Sequence, residues 1–294
     1  MSKTRLAALA LLGVGFGWGA AFVLMKDAIN QQPLMDFLGT RFLLAAALMA
    51  IIRPKLIMTI KPADLKGGVP LGLLLGLGFI TQTIGLELTT AAISGFLTGL
   101  YVVLTPVFAW LIYRSKVSKK LFVAIFIALA GLAILSGTAG SDISFQIGQL
   151  WLVACAALFA LHIIWLAKFS QNRDSYSLAF IQIGTVGLLC MGFGLVDGYT
   201  PPPSPDVWFA VLFTAVFATV IAFWIQTWAQ SILDPARAAL LLTIEVAYAA
   251  IIAVAVGQEV LSSTAIIGGG LMLLAMLIVE WPTKENQLTR EPIH

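Results

Sequence analysis

The sequence predicts an all-α integral membrane protein in which ten transmembrane helices form two inverted five-helix repeats around a central cavity. Three observations predict this fold class. Hydrophobic residues make up 60% of the 294 positions and charged residues only 11%, with a mean hydropathy of +0.98. An ordinary soluble domain carries roughly 45–50% apolar and about 25% charged residues. The apolar residues fall in continuous runs long enough to cross a bilayer, not in the alternating segments of about ten residues that build a membrane barrel. Finally, the pattern FxxQT occurs as "FITQT" from Phe79 and again as "FWIQT" from Phe223, in the same frame 144 positions later.

Taken in order, the runs place helices at 6–25, 34–52, 68–88, 91–113, 119–137, 147–168, 176–197, 206–230, 236–256 and 264–281. Backbone polar groups cannot be left open in hydrocarbon, so each continuous run is read as a helix. The longest connections, "RPKLIMTIKPADLK", "SGTAGSDISFQ" and "DGYTPPPSPD", are polar or rich in Pro and Gly, as exposed loops should be. The first run follows "MSKTR" and is of span length, so it reads as a retained helix and not a cleaved leader. The tail "TKENQLTREPIH" (283–294) reads as disordered and cytoplasmic.

Lysine and arginine set the orientation. With a cytoplasmic N-terminus, Lys3, Arg5, Arg53, Lys55, Lys61, Lys66, Arg114, Lys116, Lys119, Lys120, Lys168, Arg173, Arg237, Lys284 and Arg290 all fall on the inner side, and only Lys26 lies near the outer surface. That asymmetry predicts a multi-pass protein with both termini cytoplasmic; the membrane is expected to be the bacterial inner one. The net charge of +3 comes from these loops and calls for no nucleic-acid partner.

The repeat organises the rest. At a shift of 144, Phe79 meets Phe223, Gln82 meets Gln226, Thr83 meets Thr227, Tyr101 meets Glu245 and Leu129 meets Leu273 without a gap. At a shift of 141 or 142, Arg41 meets Gln182 and Lys26 meets Lys168. Residues 1–144 and 145–282 are thus read as two units of five spans. Because five is odd, the second unit enters the membrane from the opposite side. Inverted repeats of this kind build alternating-access transporters, with the substrate site near the midplane between the halves. Small residues at four-residue spacing, Gly13/Gly17, Gly15/Gly19, Gly68/Gly72/Gly76 and Gly95/Gly99, allow close helix contact. Pro106 in the fourth span removes a backbone donor and is the candidate hinge.

Polar groups inside spans are costly and point to the site. Glu245 lies nearest the middle of a span and shares a helix face with Tyr248, while its mate Tyr101 shares one with Thr98. A carboxylate there serves as a proton-coupling group, as a partner for a substrate ammonium, or as a buried acid paired with Arg41 or a hydroxyl. Gln82 and Gln226 offer amides to a zwitterionic solute or to neighbouring helices. Trp18, Phe79, His162, Trp165, Trp224 and Trp228 supply rings for an aromatic-lined cavity that would take flat or apolar side chains, or else face lipid. Arg41 reads as an anchor, snorkelling or pairing with Asp36 or Glu87, and Glu259 as a solvated residue at an outer helix end.

The stretches "WGAAFVLMK" (18–26), "FLGTRFLLAAALM" (37–49), "GLELTTAAISGFLTGLYVVLTPVFAWLIY" (85–113) and "IEVAYAAIIAVAVGQE" (244–259), in this order and spacing, resemble the drug/metabolite transporter superfamily. Within it the chain is similar to EamA-type ten-helix members and, among these, to the YddG-like amino-acid exporters. The resemblance covers essentially the whole chain. It departs in two places: Val246 stands where the family often has Pro after the position of Glu245, and "GQE" replaces the usual Gly-Glu at the end of the ninth span.

The resemblance implies export of amino acids, aromatic and other neutral ones, and of related small metabolites by alternating access. Downhill facilitated diffusion is the expected mode, with a proton-coupled drug/metabolite antiporter working through Glu245 as the alternative. A channel and a membrane enzyme are the remaining classes. Enzyme chemistry lacks its usual carriers, for the chain has no metal-like spacing of His, Cys and acids and only two histidines, His162 and His294. Cys155 and Cys190 read as small packing residues. No cofactor and no metal are expected; the partners are a small-molecule substrate and the lipid bilayer, and the oligomeric state is open, a monomer among the choices.

Overall fold

The computed structural model describes residues 2–114, 119–136, 146–196, 198–233 and 235–280. The expected tail at 283–294 and the boundary between the two repeats at 144/145 lie outside the described residues. Every regular element among the described residues is helical. In chain order they are α1 (Lys3–Ala28), α2 (Leu34–Ile52), α3 (Leu56–Thr59), α4 (Pro62–Leu88), α5 (Ala91–Thr98), α6 (Tyr101–Tyr113), α7 (Lys119–Ser136) and α8 (Ile147–Phe169), followed by α9 (Ser175–Gly194), α10 (Pro205–Ala215), a π-helical turn (Val216–Ile221), α11 (Ala222–Gln230), α12 (Pro235–Leu242), α13 (Ile244–Ala255) and α14 (Ser263–Glu280).

Eight helical runs among the described residues are long and apolar enough to cross a membrane, and two shorter apolar helices, Phe122–Gly131 and Ser263–Ile278, lie where the fifth and tenth spans were expected. The chain is a multi-pass membrane protein. About half of each span is buried inside the bundle, and large apolar side chains such as Leu73, Phe126, Leu188, Phe209 and Phe217 remain on its outside, where lipid would cover them.

Helix starts follow cap chemistry. Ser2, Thr90, Asp174 and Ser204 each accept a hydrogen bond from a backbone N–H three residues on, satisfying donors that a helix leaves open. At α4, Pro62 opens the helix and Asp64 reaches back to the Lys61 N–H at 3.1 Å, which moves the start six residues ahead of the expected 68.

Three expected spans are interrupted. The fourth breaks at Gly99 and Leu100, between α5 and α6, where the helical bonds shorten to three-residue steps. Pro106, the expected hinge, lies inside α6, which runs on through it. The ninth span breaks at Thr243, between α12 and α13, without any proline. Gly99 and Thr243 are 144 positions apart, and the flanking helices α5 and α12 are both eight residues long and offset by the same 144. The eighth span is wound as a π turn over Val216–Ile221, a stretch with neither Gly nor Pro to announce it.

Helices of the first and second halves interleave. α2 packs on α9, α4 on α8 and α9, α1 on α11, α12 and α13, α5 on α8 and α13, α6 on α8 and α12, and α7 on α14. Glycines form two of these seams. A Cβ at Gly19 would meet Tyr248 Cβ at 2.5 Å and the Ala249 backbone at 2.9 Å, and one at Gly72 would meet Thr185 Cβ at 2.5 Å and the Gln182 backbone at 2.9 Å. Gly13 faces open space instead and takes no part in packing.

The two ends of the bundle are held differently. At one, Arg53 pairs with Asp174 and Arg173 with Asp64, the latter at 2.9 Å. At the other, Lys26 donates to the carbonyls of Leu86 (2.7 Å), Glu87 (3.0 Å) and Thr89 (2.6 Å), closing the C-terminus of α4. Glu259 is not a solvated bystander: its carboxylate accepts from the N–H groups of Ala91 and Ala92 and caps α5.

Partial burial alone would raise the affinity of Asp174 for a proton. The hydroxyl and N–H of Ser177 and the Arg53 guanidinium together outweigh burial and hold the carboxyl below its ordinary range. A carboxyl depressed in the folded state stabilises above its unfolded pKa and loses that contribution as pH falls through the folded value. Asp174→Asn keeps a capping oxygen and removes the charge, so it is expected to cost about 0.5 kcal/mol at neutral pH, the worth of an exposed ion pair. The gap between the melting curves of wild type and variant should close below about pH 4. A gap unchanged in acid would show that the charge contributes nothing.

Candidate functional site

Both halves converge on one central cavity. Its wall is made by Trp18, Phe22, Met25, Arg41, Phe79, Gln82, Tyr101, Phe159, His162, Phe223, Gln226 and Glu245, with Ala21, Leu75, Ile163 and Leu242 between them. The atom-free space amounts to about 550 Å³, drawn out thinly between the rings, and little of it is wider than a water molecule.

The aromatic part is a chain of edge contacts. Phe79 lies at the centre, with Phe42, Phe159 and Phe223 at centroid distances of 4.9, 5.5 and 5.9 Å, and Trp18 adjoins Phe223 at 5.5 Å. Ring edges on ring faces satisfy the quadrupoles and close the cavity without polar contacts.

The polar part is sparse. Tyr101 and Glu245 enter from the first turns of α6 and α13, immediately after the two helix breaks, and both are buried. The Tyr101 hydroxyl makes no hydrogen bond of good geometry; it stands beside the Glu245 carboxylate, close enough for the two to interact. Gln82 donates weakly to Thr98 Oγ1 at 3.4 Å, while Gln226 Oε1 is buried without a partner. His162 Nε2 and Gln182 Oε1 are 2.7 Å apart, which fixes the ring.

Arg41 completes the wall. It is 1% exposed and forms neither of the expected ion pairs. Asp36 instead accepts from the Thr200 N–H at 2.9 Å, in the loop before α10. Arg41 reaches across to the π turn, where Nε donates to Thr219 Oγ1 at 2.9 Å and Nη2 to the Ala218 carbonyl at 3.3 Å, with Nη1 on Met25 Sδ at 3.1 Å. The same Ala218 carbonyl accepts from Trp18 Nε1 at 2.9 Å. Wide winding frees carbonyls that a regular helix would occupy, so the π turn provides the acceptors that α1 and α2 need.

Seven of the ten residues expected at a substrate site line the cavity: Trp18, Phe79, Gln82, Tyr101, His162, Gln226 and Glu245. Thr98 is buried just behind, against Gln82. Tyr248 turns away from it, its ring edge-on to Phe16 at 5.3 Å, and Trp165 is 37% exposed on the outside of α8. The sequence reading missed Phe22, Met25 and Phe159, and it missed Phe223 although that residue is the repeat mate of Phe79.

The EamA-like transporter family matches twice, over residues 5–137 and 146–281. The chain belongs to the EamA-like transporter family. This places it in the drug/metabolite transporter superfamily. An uncharacterized transporter of Archaeoglobus fulgidus is 32% identical over 94% of this chain and 86% of its own. The uncharacterized transporter YvbV of Bacillus subtilis is 30% identical over 76% of this chain and 74% of its own. A crystal structure that covers 95% of this chain, and is itself covered over 97%, superposes with a TM-score of 0.69 at 17% identity, a likeness of fold alone.

Proposed function

We propose that the protein exports neutral amino acids, aromatic ones above all, and related small metabolites by alternating access between two inverted five-helix halves. The observation that carries this reading is the wall of the central cavity. Four rings, Trp18, Phe79, Phe159 and Phe223, stand beside two amides, Gln82 and Gln226, and one carboxylate, Glu245. Rings accept a flat or apolar side chain by stacking and area burial, while amides and a carboxylate suit a zwitterionic backbone.

The inverted repeat is supported by the packing. Exchanging each helix for its mate 144 or so residues away turns the α1/α11 contact into α8/α4, α1/α13 into α8/α6, α1/α12 into α8/α5 and α5/α13 into α12/α6, and every one of these contacts occurs. The paired breaks at Gly99–Leu100 and Thr243 are the natural pivots, since three-residue steps already interrupt the regular helical bonding there. The basic residues gathered at the end that carries Arg53, Lys61 and Arg173 support a cytoplasmic position for that end, in the proposed bacterial inner membrane.

Proton coupling through Glu245 is the second reading, favoured by its burial beside the Tyr101 hydroxyl. Downhill transport is preferred because no second acid lines the cavity.

The test is uptake of labelled threonine, methionine, phenylalanine and tryptophan into liposomes holding purified protein, with and without a pH gradient, for wild type and Glu245→Gln. Saturable uptake without a gradient, retained by the variant, is the expected result. Uptake that needs the gradient and falls at least roughly 100-fold in the variant, as for loss of an essential acid–base group, would install the coupled mechanism. Folded protein that carries none of the four would remove the amino-acid class.

A further inference from the structure

We infer that Arg41 is the anion-recognising group of the central cavity and binds the carboxylate of the transported molecule. The inference rests on the transport reading above but not on amino acids as such. It assigns a ligand class: small apolar or aromatic carboxylates, zwitterions included.

The first ground is the missing counter-charge. Among the described residues the ion pairs are Arg53 with Asp174 and Arg173 with Asp64, and Arg41 is in neither. Asp36 accepts from the Thr200 N–H and Glu87 is exposed, and neither of these two expected acids forms an ion pair with Arg41. A buried cation without an anion is a strongly unfavourable arrangement in hydrocarbon, and such residues persist where they serve a pathway.

The second ground is donor arithmetic. A guanidinium carries five N–H donors in a planar fork. Three are engaged, by Thr219 Oγ1, the Ala218 carbonyl and the weakly accepting sulfur of Met25. Two therefore lack a protein acceptor, and the side chain forms part of the cavity wall. A carboxylate matches such a fork with two parallel hydrogen bonds, which a carbonyl or a thioether cannot do.

The third ground is how the fork is held. Its plane lies near Phe42 and Phe79, with the guanidinium carbon 5.0 and 5.1 Å from the ring centroids, and the π turn anchors its inner edge. A group fixed by rings and backbone is pre-organised for a ligand and loses little freedom on binding. No ion pair joins Arg41 to Glu245, so the cavity holds a cation and an acid that do not neutralise each other. A zwitterion would satisfy both.

The probes are hydrocinnamate, phenylalanine and phenylalaninamide, which share a benzyl body and carry an anion, a zwitterion and a cation. Binding to purified wild type, Arg41→Lys and Arg41→Gln is measured by calorimetry in chloride-free buffer. Hydrocinnamate and phenylalanine should bind wild type at least roughly tenfold more tightly than phenylalaninamide, the discrimination of one charge-assisted contact. Arg41→Gln should erase that difference and Arg41→Lys should keep part of it.

Equal binding of phenylalaninamide and hydrocinnamate to wild type overturns the inference whether or not the variants fold. So does the absence of binding by every probe, or chloride alone displacing hydrocinnamate at equal concentration, which would mark a halide site. Binding of hydrocinnamate by protein that carries no amino acid into liposomes would uphold Arg41 and discard the amino-acid reading.

Discussion

Removing the two central rings together, Phe79→Ala with Phe223→Ala, is expected to cost less stability than the single changes added up, and to slow transport of aromatic substrates. Each ring is almost fully buried, and losing a buried phenylalanine costs about 3–5 kcal/mol. Phe79 should stand at the upper end because it touches three other rings and lies under the Arg41 guanidinium, whereas Phe223 touches Phe79 and Trp18. The rings meet edge to face at 5.9 Å and 77°, so each single variant already loses their mutual contact. A shortfall of about 0.5–1.5 kcal/mol from additivity follows. Unfolding in mixed micelles gives the cycle, and liposome uptake of tryptophan against threonine gives the functional half. Faster uptake of both in the double variant would mean that the rings block the way instead of gripping substrate.

Valine at Gly19 should be the most damaging change in the helix seams. The added Cβ would fall 2.9 Å from both the Ala249 amide nitrogen and the Glu245 carbonyl oxygen. Backbone atoms cannot swing aside, so α1 must lift from α13, and the cost is expected to reach about 3 kcal/mol. Lifting α1 also displaces Trp18 from the π turn and Glu245 from the cavity wall, so transport should fall with stability. Gly13→Ala is the control, since open space surrounds that Cβ. Its melting temperature should match wild type or exceed it, because alanine favours the helix by about 1 kcal/mol. Equal effects of the two substitutions would contradict the seam.

The membrane class and the helical runs were legible because hydrophobic runs of bilayer length admit few other readings. Seven of the ten expected site residues reach the cavity because polar groups and repeat mates inside spans seldom face lipid. What escaped has local causes. Three residues turn a helix through about 300°, which leaves Trp165 some 60° from His162 and enough to carry it outside. Arg41 looked like an anchor because sequence places a residue on a helix but not opposite its acceptors, and those acceptors arise from a π turn written in Val, Phe, Ala, Thr and Ile. The break at Thr243 has no proline to announce it; its one sequence signal was the mate position, Gly99.

The π turn has a consequence for energetics. Two halves of identical shape, related by a two-fold axis in the membrane plane, would make the outward-open and inward-open forms of the proposed cycle equivalent by rotation and equal in free energy. Here the α4/α9 seam is zipped by Gly68, Gly72 and Gly76, whereas at the mates of Gly72 and Gly76, Val216 and Val220, the helix is wound wide and pinned by Arg41. One seam parts by separating apolar surfaces, the other by breaking hydrogen bonds to a cation, so the two forms are no longer degenerate. A bias of 1.4 kcal/mol corresponds to about ten molecules waiting on one side of the membrane for each on the other. Spin-label distances across the two ends would read that ratio, and a value near one would show that the two seams are energetically equivalent after all.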